Sequence, residues 1–131
     1  MTALYWIPAI IYMAGIFTVS SIPDLGPLPG DVSDKSWHGL VYAGLGMTML
    51  YGLARGAAER VTLGRALLAV ALATAYGVTD EIHQSFVPGR QAEVADVVAD
   101  ALGAVAGVAA AALAAVWWRD QPSRSGSRDA S

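Results

Sequence analysis

Residues 66–84 read ALLAVALATAYGVTDEIHQ, and residue 65 before them is arginine. Only fourteen uncharged residues separate Arg65 from Asp80. As a helix they rise about 21 Å, short of the about 30 Å hydrocarbon core of a bilayer. The surrounding composition decides how this stretch is read. The 131-residue chain is 55% hydrophobic and 15% charged, with mean hydropathy +0.47, against a usual charged share of about 25%. Too few charges remain to cover a water-soluble domain, and a disordered chain or a nucleic-acid-binding module is excluded on the same ground. The stretch is therefore predicted to be a membrane helix. Arg65 snorkels at one end, and Asp80, Glu81 or both sit at membrane depth at the other. An ionisable group there is costly and marks function by default.

Three more uncharged runs flank it. Residues 3–22 carry no charge, with Pro8 near the start, where a missing N–H costs least. No basic residue precedes that run, which predicts a retained helix and not a cleaved signal. Residues 36–54 are uncharged apart from a proton on His38, and residues 101–118 form the last run. Between the first two runs lie Pro23, Pro27 and Pro29, half of the chain's prolines, which predict a loop. Pro88-Gly89 marks a turn before a helix expected to start near Asp96. The Ser-, Arg- and Asp-rich tail, residues 119–131, is expected to be disordered. The fold class is thus all-α, a four-helix transmembrane bundle, with one membrane domain over residues 1–118.

Four spans put both termini on one side. That side holds six basic residues against three acids, whereas the other holds Lys35 and Arg90 against eight acids. The positive-inside rule then predicts cytoplasmic termini and an acidic outer face. Small residues at four-residue spacing, Ala69, Ala73 and Gly77 on the third helix and Ala99, Gly103 and Gly107 on the fourth, predict close backbone packing in lipid. Without cysteine, disulfides, thiolate sites and Cys-type zinc sites are excluded.

The outer end gathers the side chains that can do chemistry. Asp34, His38 and Tyr42 follow one another at four-residue spacing and form one helical stripe. Asp80, His83 and Gln84 are expected to share a face of the third helix, with Glu81 pointing elsewhere. Asp96 and Asp100 lie one turn apart, in line with Gly103 and Gly107. Carboxylates this crowded repel one another. Sharing a proton, binding a metal ion, or pairing with Lys35 and Arg90 each relieves that repulsion. Asp80, Glu81, His83 and His38 are the candidate acid, base and partner groups. Arg90, Lys35, Gln84 and Tyr42 are the candidate ligand-binding residues, the fork of Arg90 suiting a phosphate or carboxylate. Asp34, Asp96 and Asp100 are the candidate metal ligands. Carboxylate and imidazole without sulfur suit a divalent cation such as magnesium, manganese, calcium or zinc, and the spacing selects none of them.

Each residue also has a plain structural reading. His38 serves as a helix-end histidine bonded to a carbonyl, His83 as a helix pair with Asp80, and Asp96 as the N-cap of the fourth helix. Asp100 then makes an interhelical hydrogen bond, and Arg90 holds an acid. No nucleophile elbow, Gly-rich phosphate loop or His-Glu-x-x-His motif is present.

The chain resembles the VanZ-like family of small bacterial membrane proteins. The matching pieces are Ser20-Ser21-x-Pro23, Asp34-Lys35-x-x-His38-x-x-x-Tyr42, the specific segment Asp80-Glu81-x-His83-Gln84-x-Phe86-x-Pro88-Gly89-Arg90, and Asp96-x-x-x-Asp100-x-x-Gly103-x-x-x-Gly107. They occur in the family's order and cover nearly all of the chain except the tail. One departure is Asp100, where the family pattern carries Asn. The resemblance implies a multi-pass protein of the bacterial cytoplasmic membrane. Its naming member gives low-level resistance to teicoplanin, a glycopeptide that acts outside that membrane on lipid-linked wall precursors.

Three functions compete on these residues. In the first, the outer cluster binds a membrane lipid, a lipid-linked cell-wall precursor or another phosphate-bearing envelope ligand without turning it over. In the second, a hydrolase or group transferase acts on head groups at the outer leaflet. In the third, the polar groups cross-link helix ends or dock a partner. A pH-gated or transport role ranks below these, since four short helices leave little room for a pathway unless a homo-oligomer supplies one. The binding reading leads, because no residue pattern defines a reaction.

Overall fold

The computed structural model describes residues 2–23, 26, 30 and 33–121. Most of the proline-rich loop and the tail from residue 122 onward lie outside the described residues. Among these residues all regular secondary structure is helical. A 3-10 segment at Thr2–Trp6 leads into α1 (Ile7–Ser20), followed by α2 (Asp34–Ala54), a short 3-10 turn at Ala58–Arg60, α3 (Leu63–Gln84) and α4 (Val94–Arg119). Two of these helical stretches, Thr2–Ser20 and Val94–Arg119, are long and apolar enough to cross a membrane.

Local sequence explains the boundaries. Pro8 falls in the first turn of α1, and the residues ahead of it adopt a 3-10 geometry, so the run expected over 3–22 is not one uniform α-helix. Ser33 caps α2, its hydroxyl accepting from the Ser36 amide at 3.2 Å, and Thr62 caps α3 by accepting from the Arg65 amide at 3.3 Å. Arg55 leaves α2 with φ 52°, and Gly56 follows with φ 66°. The α3 helix reaches 22 residues by taking Asp80 and Glu81 into its last turns, where both are buried. This is how the short apolar run of the third segment becomes a full-length helix.

The α4 helix starts at Val94, two residues earlier than expected, with Glu93 at the N-cap. Asp96 is therefore not the cap. It lies in the first turn, and its carboxylate turns to Lys35. The helix also runs through Arg119, one residue past the expected domain boundary.

Backbone contact holds the bundle together. The most extensive pairing is α2 with α4, with α3 packed against both and α1 resting more lightly on α2 and α3. A β-carbon on Gly103 would overlap the Gly39 carbonyl, and one on Gly107 would overlap that of Ala43. The stripe of small residues on α4 thus buries itself against backbone, as expected for helices packing in lipid. Large apolar side chains face outward, among them Ile11, Leu67, Leu102 and Leu113, each more than 60% exposed. In water so much exposed apolar surface would be costly, and in a bilayer it is the natural exterior.

The two ends of the bundle differ. One gathers Pro8, Tyr51, Ala58, Val61 and Trp118 around an apolar cavity of about 550 Å³ with no charged lining residue. The other collects the C-terminal ends of α1 and α3 and the N-terminal ends of α2 and α4, and carries the buried acids.

Candidate functional site

Four segments converge at the polar end, and they hold one another through side chains. Asp80, on the last turns of α3, is 5% exposed and accepts at Oδ2 from Ser20 Oγ at 2.9 Å and from Gln84 Nε2 at 3.0 Å. The Gln84 amide oxygen in turn accepts from Arg90 Nη2 at 2.7 Å. A continuous line of hydrogen bonds thus runs from Arg90 on the connecting loop to Ser20 at the end of α1.

A second group joins α2 to α4. His38 Nδ1 lies 3.0 Å from Asp100 Oδ1, and Asp100 is fully buried. Lys35 donates to Glu93 Oε2 at 2.9 Å and to Asp96 Oδ1 at 3.4 Å. Its ammonium is held above the ordinary lysine range, first by the hydrogen bond to Glu93 and then by the charge of Asp96. The Glu93 backbone N–H donates to Glu81 Oε2 at 3.1 Å, so the cap of α4 and the last turns of α3 are fastened together.

The expected division of α3 into faces changes at His83. Glu81 takes a different partner from Asp80: it is 5% exposed and turned into the bundle toward the cap of α4. His83 leaves the set, because its ring stacks on Phe17 with centroids 4.4 Å apart and its Nε2 lies 2.9 Å from Ser21 Oγ. The α1 helix packs on that side of α3 and supplies both an aromatic face and a hydroxyl, which draw the imidazole away from Asp80. The expected metal set is also divided. Asp34 and Asp96 group with His38, whereas Asp100 groups with His38 and Glu81.

Five buried polar atoms have no hydrogen-bond partner among the described residues: Trp37 Nε1, Tyr42 Oη, Asp80 Oδ1, Glu81 Oε1 and Asp100 Oδ2. Buried polar groups are usually paired, so such a concentration at one end of a small bundle needs a cause.

Beside them opens a cavity of about 820 Å³ between α1 and α2. One part of its wall is apolar, with Ile11, Ile16, Val19 and Val41, and another is polar, with His38, Asp80, Gln84 and Arg90. The stripe of Asp34, His38 and Tyr42 runs down it, from exposed Asp34 to fully buried Tyr42. Trp37 also lines it. Ser20 and Ser21 stand in a motif of the sequence but had no role assigned there. Two hydroxyls at the acidic end of an apolar helix were the signal for them.

An all-helical bundle with a lipid-facing exterior and a buried polar network at one end defines a helical membrane protein. The VanZ/LLP1 family model matches residues 5–115, and the chain belongs to that family. No curated protein and no solved structure matches it.

Proposed function

We propose that the polar-end cavity binds the phosphate-bearing head of a membrane lipid or lipid-linked cell-wall precursor at the outer face of the bacterial cytoplasmic membrane. The observation that carries this reading is the setting of Arg90. Its guanidinium lines the cavity and donates to a neutral amide, Gln84, and among the described residues it makes no ion pair, although Asp34, Asp80, Glu93 and Asp96 line the same cavity. A guanidinium kept from the neighbouring carboxylates retains donors for an anion. The apolar wall of α1 and α2 beside it suits an acyl or polyprenyl chain. Both termini are then cytoplasmic, and a contribution to teicoplanin resistance would follow from holding or shielding a wall precursor.

Native mass spectrometry of the protein purified in mild detergent tests the reading. A phosphate-bearing lipid should accompany the wild type and be depleted in Arg90→Gln. Equal lipid occupancy in both would sink it. Expression in a teicoplanin-susceptible host, with growth inhibition compared between wild type and Arg90→Gln, tests the resistance role separately.

One observation favours an enzyme as the second reading. Asp80 lines the cavity with a buried oxygen, Oδ1, that has no hydrogen-bond partner among the described residues. A carboxyl group so placed can serve as general acid or base. Release of a cleaved or transferred head group by purified protein, absent in Asp80→Asn, would establish that reading over simple binding.

A further inference from the structure

We propose that His38, Glu81 and Asp100 bind one divalent transition cation, Mn²⁺ or Zn²⁺, between α2, α3 and α4. The reading stands on these buried residues and does not depend on the lipid proposed for the cavity.

Each of the three offers one ligand atom, and the three atoms lie within 4.8 Å of one another. Ligand atoms on one such ion, each at about 2.1 Å, are at most about 4.2 Å apart. In a tetrahedral site the separation is about 3.4 Å, so side-chain shifts of up to about 1 Å bring the three atoms onto one ion. Glu81 is 5% exposed and Asp100 is fully buried, yet among the described residues Glu81 Oε1 and Asp100 Oδ2 have no hydrogen-bond partner. Leaving carboxylate oxygens buried and unpaired is strongly unfavourable. Among the described residues neither lysine nor arginine is placed to relieve it, and His38 reaches Oδ1 of Asp100, not these two oxygens. Lys35 is bound to Glu93 and Asp96, and Arg90 to Gln84. The Asp100 carboxylate fits between the helices because α3 carries glycine opposite it, where a β-carbon on Gly77 would lie 2.8 Å from Asp100 Oδ2.

The surroundings already hold the ligands in place. The other oxygen of Glu81 accepts the Glu93 backbone N–H, which orients the carboxylate in the way outer hydrogen bonds orient metal ligands. The hydrogen shared between His38 and Asp100 is where a cation would compete. An imidazole among the ligands favours a transition ion over magnesium or calcium, and two carboxylates without sulfur suit manganese or zinc. Three protein ligands leave coordination positions open. Because His38 also lines the cavity, such an ion would offset the acids there and favour an anionic ligand. A second group, Asp34, His38 and Asp96, meets the same distance criterion. It is the weaker set, since Asp34 is exposed and Asp96 already accepts from Lys35.

The test uses the full chain, purified in mild detergent, stripped with chelator and titrated with Mn²⁺ under electron paramagnetic resonance, with Zn²⁺ as competitor. We expect one saturable site that Zn²⁺ displaces. Affinity should fall about tenfold or more in Glu81→Gln and stay unchanged in Asp34→Asn. Arg90→Gln should keep the ion even where it loses lipid, which separates this proposal from the one above. Pulsed measurement on the wild type should show a nitrogen coupling from imidazole, a readout that needs no variant to fold. Absence of a saturable site, a bound ion without nitrogen coupling, or loss of the ion in Asp34→Asn with retention in Glu81→Gln would each overturn the assignment.

Discussion

His38 and Asp100 face each other across the α2–α4 contact, with Nδ1 and Oδ1 separated by 3.0 Å and the aspartate wholly buried. This contact joins the helix that carries the Asp34–Tyr42 stripe to the helix that carries the small-residue face. Hydrogen bonds between helices in membranes contribute about 0.6 kcal/mol on average and about 1.7 at most. A double-mutant cycle of His38→Ala and Asp100→Ala, measured by unfolding in mixed micelles, should give a coupling in that range. Asp100→Asn should fold, because the amide keeps an acceptor for His38. Additive single mutants would mean that the two side chains are adjacent without being coupled.

Close packing of α2 on α4 makes a second, sharper prediction. A methyl group at position 103 meets the Gly39 backbone itself, which cannot rotate away. Gly103→Ala should therefore destabilise the bundle by about 1–3 kcal/mol, the usual cost of overpacking. At Gly15, in the middle of α1, an added β-carbon would meet nothing within 4 Å, so Gly15→Ala should leave the melting temperature unchanged or raise it. Equal melting temperatures for the two variants in detergent would show that the contact does not hold the helices together.

The fold was legible because its signals are local and additive. Uncharged runs, proline-rich breaks and four-residue spacing of Gly103 and Gly107 depend on nothing distant, and they yield four helices and a packed face. The site was legible as a gathering of residues and not as a set of partners. The sequence places Asp80 and His83 three apart, which suggests a shared role, but it cannot show that α1 lays Phe17 and Ser21 beside that imidazole. Nor does it show that α4 begins at Val94, which frees the Asp96 carboxylate for Lys35 and sets the Glu93 amide against Glu81. Those choices depend on how helices distant in sequence meet.

That placement of His83 separates anchoring from ligand binding. Stacking on Phe17 and the contact with Ser21 tie the end of α1 to α3. His83→Ala should lower stability by about 1–2 kcal/mol, the combined scale of one aromatic pair and one interhelical hydrogen bond. Lipid occupancy by native mass spectrometry should remain close to that of the wild type. Loss of lipid at unchanged stability would instead return His83 to the site.

Orientation in the membrane is the last expectation, and it has a direct measurement. The N-terminal end of α1, the Ala58–Arg60 turn and the C-terminal end of α4 meet at the apolar end of the bundle, around Pro8, Ala58, Val61 and Trp118. Arg55, Arg60, Arg65 and Arg119 all fall at or next to these segments. The acids of α3 and α4 lie at the opposite end, where Lys35 and Arg90 are the cations among the described residues. Basic residues close to helix ends stay cytoplasmic, whereas acids contribute little to the choice. A fluorescent reporter joined after Arg119 should therefore be active, and a phosphatase that works only outside the membrane should be inactive there. Neutralising Arg55, Arg60 and Arg65 together should weaken this preference and give a mixed signal from the two reporters. A phosphatase active after Arg119 in the unaltered chain would place the acidic cavity in the cytoplasm, and its ligand would then have to be sought in the inner leaflet.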